Sequence, residues 1–525
     1  MRPWWRDAVL YHVYCRSFAD SNGDGVGDLR GIVEHLDHLA WLGVGGIWLS
    51  PTMPSPNADW GYDVADYRDV DPALGTLDDL DELVAAAGRL GIRVLLDLVP
   101  NHTSDRHPWF LDARSSPESA HRDWYVWSDP GPDGASPNNW LSFAGGPAWT
   151  LDEAAGRLYL HNYMPGQPDL DWWNPEVRDA FDGILRFWFD RGIAGFRIDT
   201  ANRIVKDRLL RDNPPARDAL HRSVTGMPLE QRYSANRPEV HEVLRRWRRI
   251  ADGYSPARLL LGETFLFDLA AMAGYHGSGD DELQLALNLP FMFSPLDAEV
   301  MRDAVSRTAA VLPDGAWPLW TGSSHDVPRL ATRWCAGDPA RVRCALLLLL
   351  TLRGTPLLYY GDEIGMGDTA VPPDRVRDPL GLPGSMRAGR DGARTPMRWS
   401  PGPGAGFTTA GVEPWLPIGA EPGVDVAGQR DDPGSILHLC RDAVRLRAAT
   451  AELREGAMTF LPGPRGVLAW RRGDSVTVAL NLGDHPATVG GVEGTVALGT
   501  DRDRDGTEAG GELALGAWEG AVVIA

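Results

Sequence analysis

Lysine is almost missing from this chain: Lys206 is the only one in 525 residues, so arginine carries nearly all the positive charge. Acidic residues outnumber basic ones, giving a formal net charge of −21 and a pI near 5.0. A surface for nucleic acid or an anionic membrane needs a basic patch, so both partners are excluded, while neutral substrates are not. Cysteine is scarce too. Cys15, Cys335, Cys344 and Cys440 have neither metal nor redox spacing, and Cys15 and Cys344 lie in apolar runs like small core residues, so reduced thiols are expected. Long apolar runs are lacking: the stretch around Leu346–Leu350 is too short to span a bilayer, and the first seven residues hold no apolar signal core. A cytoplasmic protein, monomeric or weakly self-associating, is expected. Tryptophan, by contrast, is abundant at 21 residues and supplies flat apolar surface for cores and for stacking on sugar rings.

The length suits one large domain with smaller appendages. Apolar strands alternate with amphipathic helices. Val9–Tyr14, Gly46–Pro51, Ile92–Val99, Gly195–Asp199, Leu259–Glu263, Glu282–Leu287, Pro318–Trp320 and Leu357–Tyr360 read as eight strands, with helices expected over 77–90, 175–191, 240–250 and 436–450. Strand and helix in this order imply parallel strands with crossover helices, and eight of them suggest a closed (β/α)8 TIM barrel, an α/β fold. The barrel is expected over 1–100 and 173–452. Residues 101–172 break the rhythm with Trp, Pro and Gly and are expected to form a small domain inserted after the third strand, over the cleft. From 453 to 525 short alternating runs such as Val476–Leu480, separated by Gly and Asp, predict a C-terminal all-β domain, a β-sandwich.

Chemistry-bearing residues gather at the strand ends. In Gly195-Phe196-Arg197-Ile198-Asp199-Thr200, residues two apart face the same way, so Arg197 and Asp199 project together. An arginine beside a carboxylate favours its ionised, nucleophilic form, although a structural ion pair has the same pattern. Asp97, Glu263 and Asp326 end other strands, with His102 and His325 beside them, and a pair of carboxyls with separated pKa values is what glycoside hydrolysis uses. Asp20-Ser21-Asn22-Gly23-Asp24-Gly25-Val26-Gly27-Asp28 places oxygen donors at alternate positions with glycines between, as a hard divalent cation requires; the alternative is a polar turn capping the helix that begins near Asp28.

Taken in order, Gly46–Pro51, Asp97–His102, Gln167–Leu170, Gly195–Asp199, Glu263, His325-Asp326 and Gly354–Glu363 resemble the α-amylase family of retaining glycosidases (glycoside hydrolase family 13), in its α-glucosidase and oligo-1,6-glucosidase branch. The resemblance implies Asp199 as nucleophile, Glu263 as general acid/base and Asp326 as the third acid gripping sugar hydroxyls. It implies that Arg197 orients Asp199, that His102 and His325 bond the sugar being cleaved, and that Asp97 supports the pocket. Asp63 and Arg394 would pair to close the pocket around a terminal glucose, which implies exo action, with Tyr62 and Tyr163 candidates for ring stacking. Asp20, Asn22, Asp24, Asp28 and the carbonyl of Val26 would hold one structural Ca2+ or Mg2+ ion, and no organic cofactor is implied. Thr200 stands where α-1,6-specific members carry valine, which favours α-1,4 or sucrose-type bonds, and Ser324 replaces a common asparagine on the acceptor side. The function implied is an exo-acting α-glucosidase on short α-glucosides. A transglucosylase or a sucrose or trehalose isomerase, using the same glucosyl intermediate, is the alternative, and a non-catalytic binding relative is a more distant one.

Overall fold

The computed structural model describes residues 2–217, 226–278, 280–381 and 389–525. Eight parallel strands run in chain order as β1 (Leu10–Val13), β2 (Gly46–Leu49), β3 (Arg93–Leu98), β4 (Gly195–Ile198), β5 (Leu259–Gly262), β6 (Leu285–Ala286), β7 (Leu319–Trp320) and β8 (Thr355–Tyr359). Their hydrogen-bonded order is β7-β8-β1-β2-β3-β4-β5-β6, a TIM barrel open only between the two-residue strands β6 and β7. The expected range that differs most is Glu282–Leu287, of which only Leu285–Ala286 pairs as a strand.

Alternation along the strands divides their side chains between two cores. Leu10, Trp48, Leu95, Leu259, Leu261, Leu285, Leu319 and Leu357 fill the barrel interior, above Trp5 and Trp317. Tyr11, Ile47, Val94, Leu96, Phe196, Ile198 and Leu260 face the other way, into the layer shared with the surrounding helices. On β4 that period leaves Arg197 and Asp199 pointing inward at the C-terminal end. Gly195 starts the strand because a Cβ there would lie 2.3 Å from the carbonyl oxygen of Leu259.

The helices begin where capping chemistry predicts. Thr76 and Asp79 form a reciprocal capping box at the start of Leu77–Arg89, and Asn174 followed by Pro175 opens Pro175–Asp190. Among the described residues no helix is long and apolar enough to cross a membrane. All four cysteines are buried free thiols.

The segment after β3 contains a three-stranded antiparallel sheet of Trp127–Ser128, Trp149–Asp152 and Arg157–Leu160 around Trp140. It is pinned to the barrel by the single lysine, whose Nζ lies 2.7 Å from Asn101 Oδ1 and 2.9 Å from Asp169 Oδ2. The excursion after β4 also packs on it, since Trp140 Nε1 donates to the Arg211 carbonyl at 2.8 Å. The C-terminal strands form one continuous hydrogen-bonded six-stranded antiparallel sheet. Ala487–Gly499 is the reason: its first part pairs with Glu508–Leu515 and its last with Glu519–Ile524, through register shifts at Gly490/Val492 and Val496/Leu498. Such shifts bend a strand, and the bent sheet covers its own apolar cluster of Val489, Val496, Leu513 and Val523.

Candidate active site

A cavity of about 490 Å³ opens over the C-terminal ends of the barrel strands. Its floor is organised by one buried guanidinium. Arg197 Nη1 donates to Asp97 Oδ1 at 2.9 Å and to Asp199 Oδ1 at 2.7 Å, while Nη2 donates to Glu263 Oε2 at 2.7 Å. Strand register makes this possible: Asp97 lies beside Arg197 across the β3–β4 pair, and Glu263 follows the last residue of β5. The planar guanidinium rests on the Trp48 ring, 4.9 Å from its centroid, and Trp48 Nε1 donates to Asp97 Oδ2 at 3.2 Å. His12, one strand over, stacks on the other side of Trp48 with ring centroids 3.6 Å apart.

Three carboxyls on one cation cannot all carry full charge cheaply. Burial pushes Asp97 up to about 7 against the pull of Arg197. Burial also raises Asp199 well above the usual carboxylate range, with Glu263, Asp97 and Asp326 adding to it and Arg197 opposing. Burial and mutual repulsion therefore both disfavour ionising Asp97 and Asp199 together. Asp326 behaves differently. Burial works against its charge, but His325, Arg390 and Arg394 outweigh that and hold it well below the usual range. A carboxyl held ionised beside two whose ionisation is disfavoured suits acid/base chemistry on a glycosidic oxygen.

The other expected sugar-binding residues frame the cavity. Tyr62 donates its hydroxyl to Asp97 Oδ2 at 3.1 Å and lies 2.6 Å from His325 Nε2, with the two rings parallel. His325 Nε2 is also 3.2 Å from Asp326 Oδ2, so these acceptors assign the proton to Nε2; burial keeps the ring neutral. His102 Nε2 bonds the Tyr62 carbonyl at 3.0 Å, and Tyr163 lines the wall beside His102. Thr200 has φ +41°, a left-handed conformation costly for a β-branched residue. The strain places its N–H 3.1 Å from Glu263 Oε2 and its Oγ1 3.3 Å from Asp199 Oδ2, so Thr200 touches both carboxyls.

The expected pairing of Asp63 with Arg394 is not what the structure forms. Asp63 is fully buried and turned into its own loop, accepting from Ser55 Oγ at 2.7 Å, Ala58 N at 2.9 Å and Asp59 N at 3.0 Å. Left-handed backbone at Trp60 and Gly61 swings the chain between the two acids, and a Cβ on Gly61 would meet Pro51 Cβ at 2.9 Å. The carboxylate that faces the cavity is Asp59, and its partner is Arg390 at 2.9 Å. Arg390 also reaches Asp326 Oδ1 at 2.9 Å and Asp378 Oδ1 at 2.8 Å. Arg394 instead holds the His325 carbonyl at 2.8 Å and Asp326 Oδ1 at 3.1 Å from behind. Asp59 and Arg390 each stand four residues before the ones singled out in sequence.

The Asp20–Asp28 loop stands apart: none of its residues lines the cavity. Asp20 Oδ1 accepts from Gly23 N at 2.7 Å, Asn22 Oδ1 from Asp24 N at 2.9 Å and Asp24 Oδ1 from Val26 N at 2.8 Å. Asp28 is the N-cap of Leu29–Glu34, bonding Gly31 N at 2.7 Å and Ser21 N at 2.9 Å, as the capping alternative requires. The donor chemistry is all oxygen and suits a hard cation, but among the described residues no three acidic, histidine or cysteine side chains gather as a metal-holding group.

Residues 12–456 match the family described as alpha amylase, catalytic domain. A probable alpha-glucosidase of Rhizobium meliloti (strain 1021) is 43% identical over 508 residues, covering 93% of this chain and 91% of that protein. An oligo-1,6-glucosidase of Heyndrickxia coagulans is 34% identical over 532 residues, covering 92% and 93%. Among solved structures, an alpha-glucosyl transfer enzyme superposes with a TM-score of 0.91 at 39% identity, and the trehalulose synthase of Pseudomonas mesoacidophila MX-45 with 0.89 at 30%, both over 100% of each chain.

Proposed function

This chain belongs to the α-amylase catalytic-domain family, and from that premise we propose that it is a retaining, exo-acting α-glucosidase that releases glucose from the non-reducing end of short α-glucosides. The observation that carries the reading is that Asp199 and Glu263 are held by the two terminal nitrogens of a single guanidinium. Two carboxyls gripped by one guanidinium are held near each other, which supports a retaining pair, whose carboxyls stand about 5 Å apart, over an inverting one. Glu263 gives its proton to the leaving oxygen while Asp199 attacks the anomeric carbon, forming a glucosyl ester. Glu263 then takes a proton from water, which hydrolyses the ester. Asp326, kept ionised with the help of the Arg390 and Arg394 guanidiniums, and His102 and His325 bond the sugar hydroxyls. The Asp59–Arg390 pair closes the far end, which supports exo action. Thr200, standing where α-1,6-specific members carry valine, supports a preference for α-1,4 bonds.

The test is a proton-NMR time course with maltose, isomaltose, sucrose and trehalose in separate tubes. Free α-glucose is expected to appear first, and fastest from maltose; β-glucose as the first product would rule out retention. The likeness to an alpha-glucosyl transfer enzyme and a trehalulose synthase favours a second reading, transfer of the glucosyl group to another alcohol. New disaccharides as the main products would move the assignment there. The complete acid set speaks against a binding protein without catalysis.

A structural divalent cation on the oxygens of Asp20, Asn22, Asp24, Asp28 and the Val26 carbonyl is also proposed. Gly25, with φ +91°, brings this loop against the Glu413 carbonyl, so ordering it would stabilise the contact with 407–415. Millimolar Ca2+ or Mg2+ is expected to raise Tm of chelator-treated protein by about 3 °C or more, through binding to the folded state alone. An unchanged Tm with both ions would remove the proposal.

A further inference from the structure

We propose that His12 is a positioning residue for the sugar-binding side of the cavity: it gives a hydrogen bond, directly or through one water, to Nδ1 of His325 and so holds that ring with its proton on Nε2. The consequence for activity rests on the reading of His325 as a sugar-binding residue; the hydrogen bond itself does not.

His12 is the third residue of β1 and, by the strand period, points into the barrel with Leu10. It is 1% exposed, yet neither ring nitrogen has a hydrogen-bond partner among the described residues. Burial keeps the ring neutral, so it carries one N–H and one lone pair. His325 shows the matching need. Its Nε2 meets Tyr62 and Asp326, but its Nδ1, equally buried, is unpaired. With the proton on Nε2, Nδ1 is an acceptor, and a buried acceptor without a donor is costly.

The ring geometry favours His12 over the other donors. Centroid separations of 3.6 Å from His12 to Trp48, 5.2 Å from His12 to His325 and 6.0 Å from Trp48 to His325 form a nearly right-angled triangle with its corner at His12. Because His12 lies flat on Trp48, with 9° between the planes, His325 stands beside the His12 ring and faces its edge, where an N–H points. A half-turn of the His12 ring exchanges carbon and nitrogen along that edge without disturbing the stack. Two other unpaired donors stand near His325, Tyr14 Oη and Arg394 Nη1. Tyr14 stacks against His325 at 5.9 Å and 28°, so its hydroxyl runs along the ring face and not toward the in-plane lone pair. Arg394 is held by its bonds from Nε to the His325 carbonyl and from Nη2 to Asp326. A donor at Nδ1 fixes the His325 ring so that Nε2–H stays aimed at Asp326, 3.2 Å away, and at the sugar hydroxyls beside it; a lone pair there would repel that carboxylate.

The test sets two substitutions against each other. His12→Phe keeps a flat ring on Trp48 and removes the N–H, whereas His12→Gln loses the ring and keeps a side-chain N–H. With maltose, His12→Phe is expected to lower kcat/KM by about tenfold and His12→Gln to stay within about twofold of wild type. A role in packing alone gives equal losses or the reverse order, and either result overturns the proposal. Nitrogen-15 NMR of histidine-labelled protein reads the bond without activity, the His325 signals being those missing from His325→Asn. In the wild type Nδ1 of His325 is expected as the unprotonated nitrogen, shifted upfield by the bond it accepts. It should move downfield in His12→Phe, return in His12→Gln and stay in place in Tyr14→Phe. A protonated Nδ1 in the wild type overturns the proposal even where the variants do not fold, and so does a shift that follows Tyr14→Phe and not His12→Phe. Wild-type protein that shows the expected nitrogen shifts but releases no glucose from maltose would sink the glucosidase reading instead and leave the hydrogen bond standing.

Discussion

Asp199→Asn is expected to lower kcat on maltose by about 10⁴-fold or more, roughly 5 kcal/mol of barrier, while the protein still folds. The amide keeps the size of the side chain, and its oxygen can accept the Arg197 Nη1 bond now made at 2.7 Å, so the floor of the cavity is preserved. What is lost is the attacking charge: a carboxamide is a poor nucleophile and its ester-like adduct does not form. Removing one carboxylate also relieves the crowding around Arg197, which leaves Asp97 and Glu263 to share the cation. Circular dichroism and Tm should therefore stay near wild type, or Tm should rise. Turnover within tenfold of wild type would place the nucleophile elsewhere.

Much of this arrangement is legible in the sequence because it follows the strand period. A carboxylate two residues after Arg197, at the end of an apolar run, must share a face with it, and the barrel follows from strands and helices in alternation. Which carboxyls then meet across strands is set by register, Asp97 against Arg197 and Ile198 against Gly262, and register leaves little trace in one strand's own residues. Strands β6 and β7 have two residues each, too short for any period to be read. The meeting of His12 with His325 is invisible for a related reason: nothing local marks which ring an inward-facing histidine finds across the barrel. The charge state of the acid set is likewise a property of burial and distance. Even the single lysine, unremarkable in composition, owes its place to Asn101 and Asp169, which lie 105 and 37 positions upstream.

The clamp shows how a motif can be found and its working residue misplaced, and the correction carries a test of its own. Asp59→Ala is expected to raise KM for maltose by about 10- to 100-fold, about 1.4 to 2.8 kcal/mol, with a smaller change in kcat. On the proposed reading Asp59 and Arg390 grip the end of the terminal glucose away from the bond to be broken, alike in ground and transition state, which is the pattern that moves KM. Arg390→Ala is expected to do more. It frees Asp59 and Asp378 from their cation and takes from Asp326 one of the three groups that keep it ionised, so kcat should fall as well, by another tenfold or so. Because Asp326 owes its depressed pKa partly to Arg390, the acid limb of its rate profile should move to higher pH: the carboxylate present above the folded pKa is lost earlier as pH falls. Asp63→Asn is the control. Its carboxylate serves only its own loop, so the substitution should lower Tm and leave KM within about twofold. If Asp63→Asn raised KM while Asp59→Ala did not, the sugar-facing acid would be Asp63 after all, and the loop between them would have to turn the other way in solution.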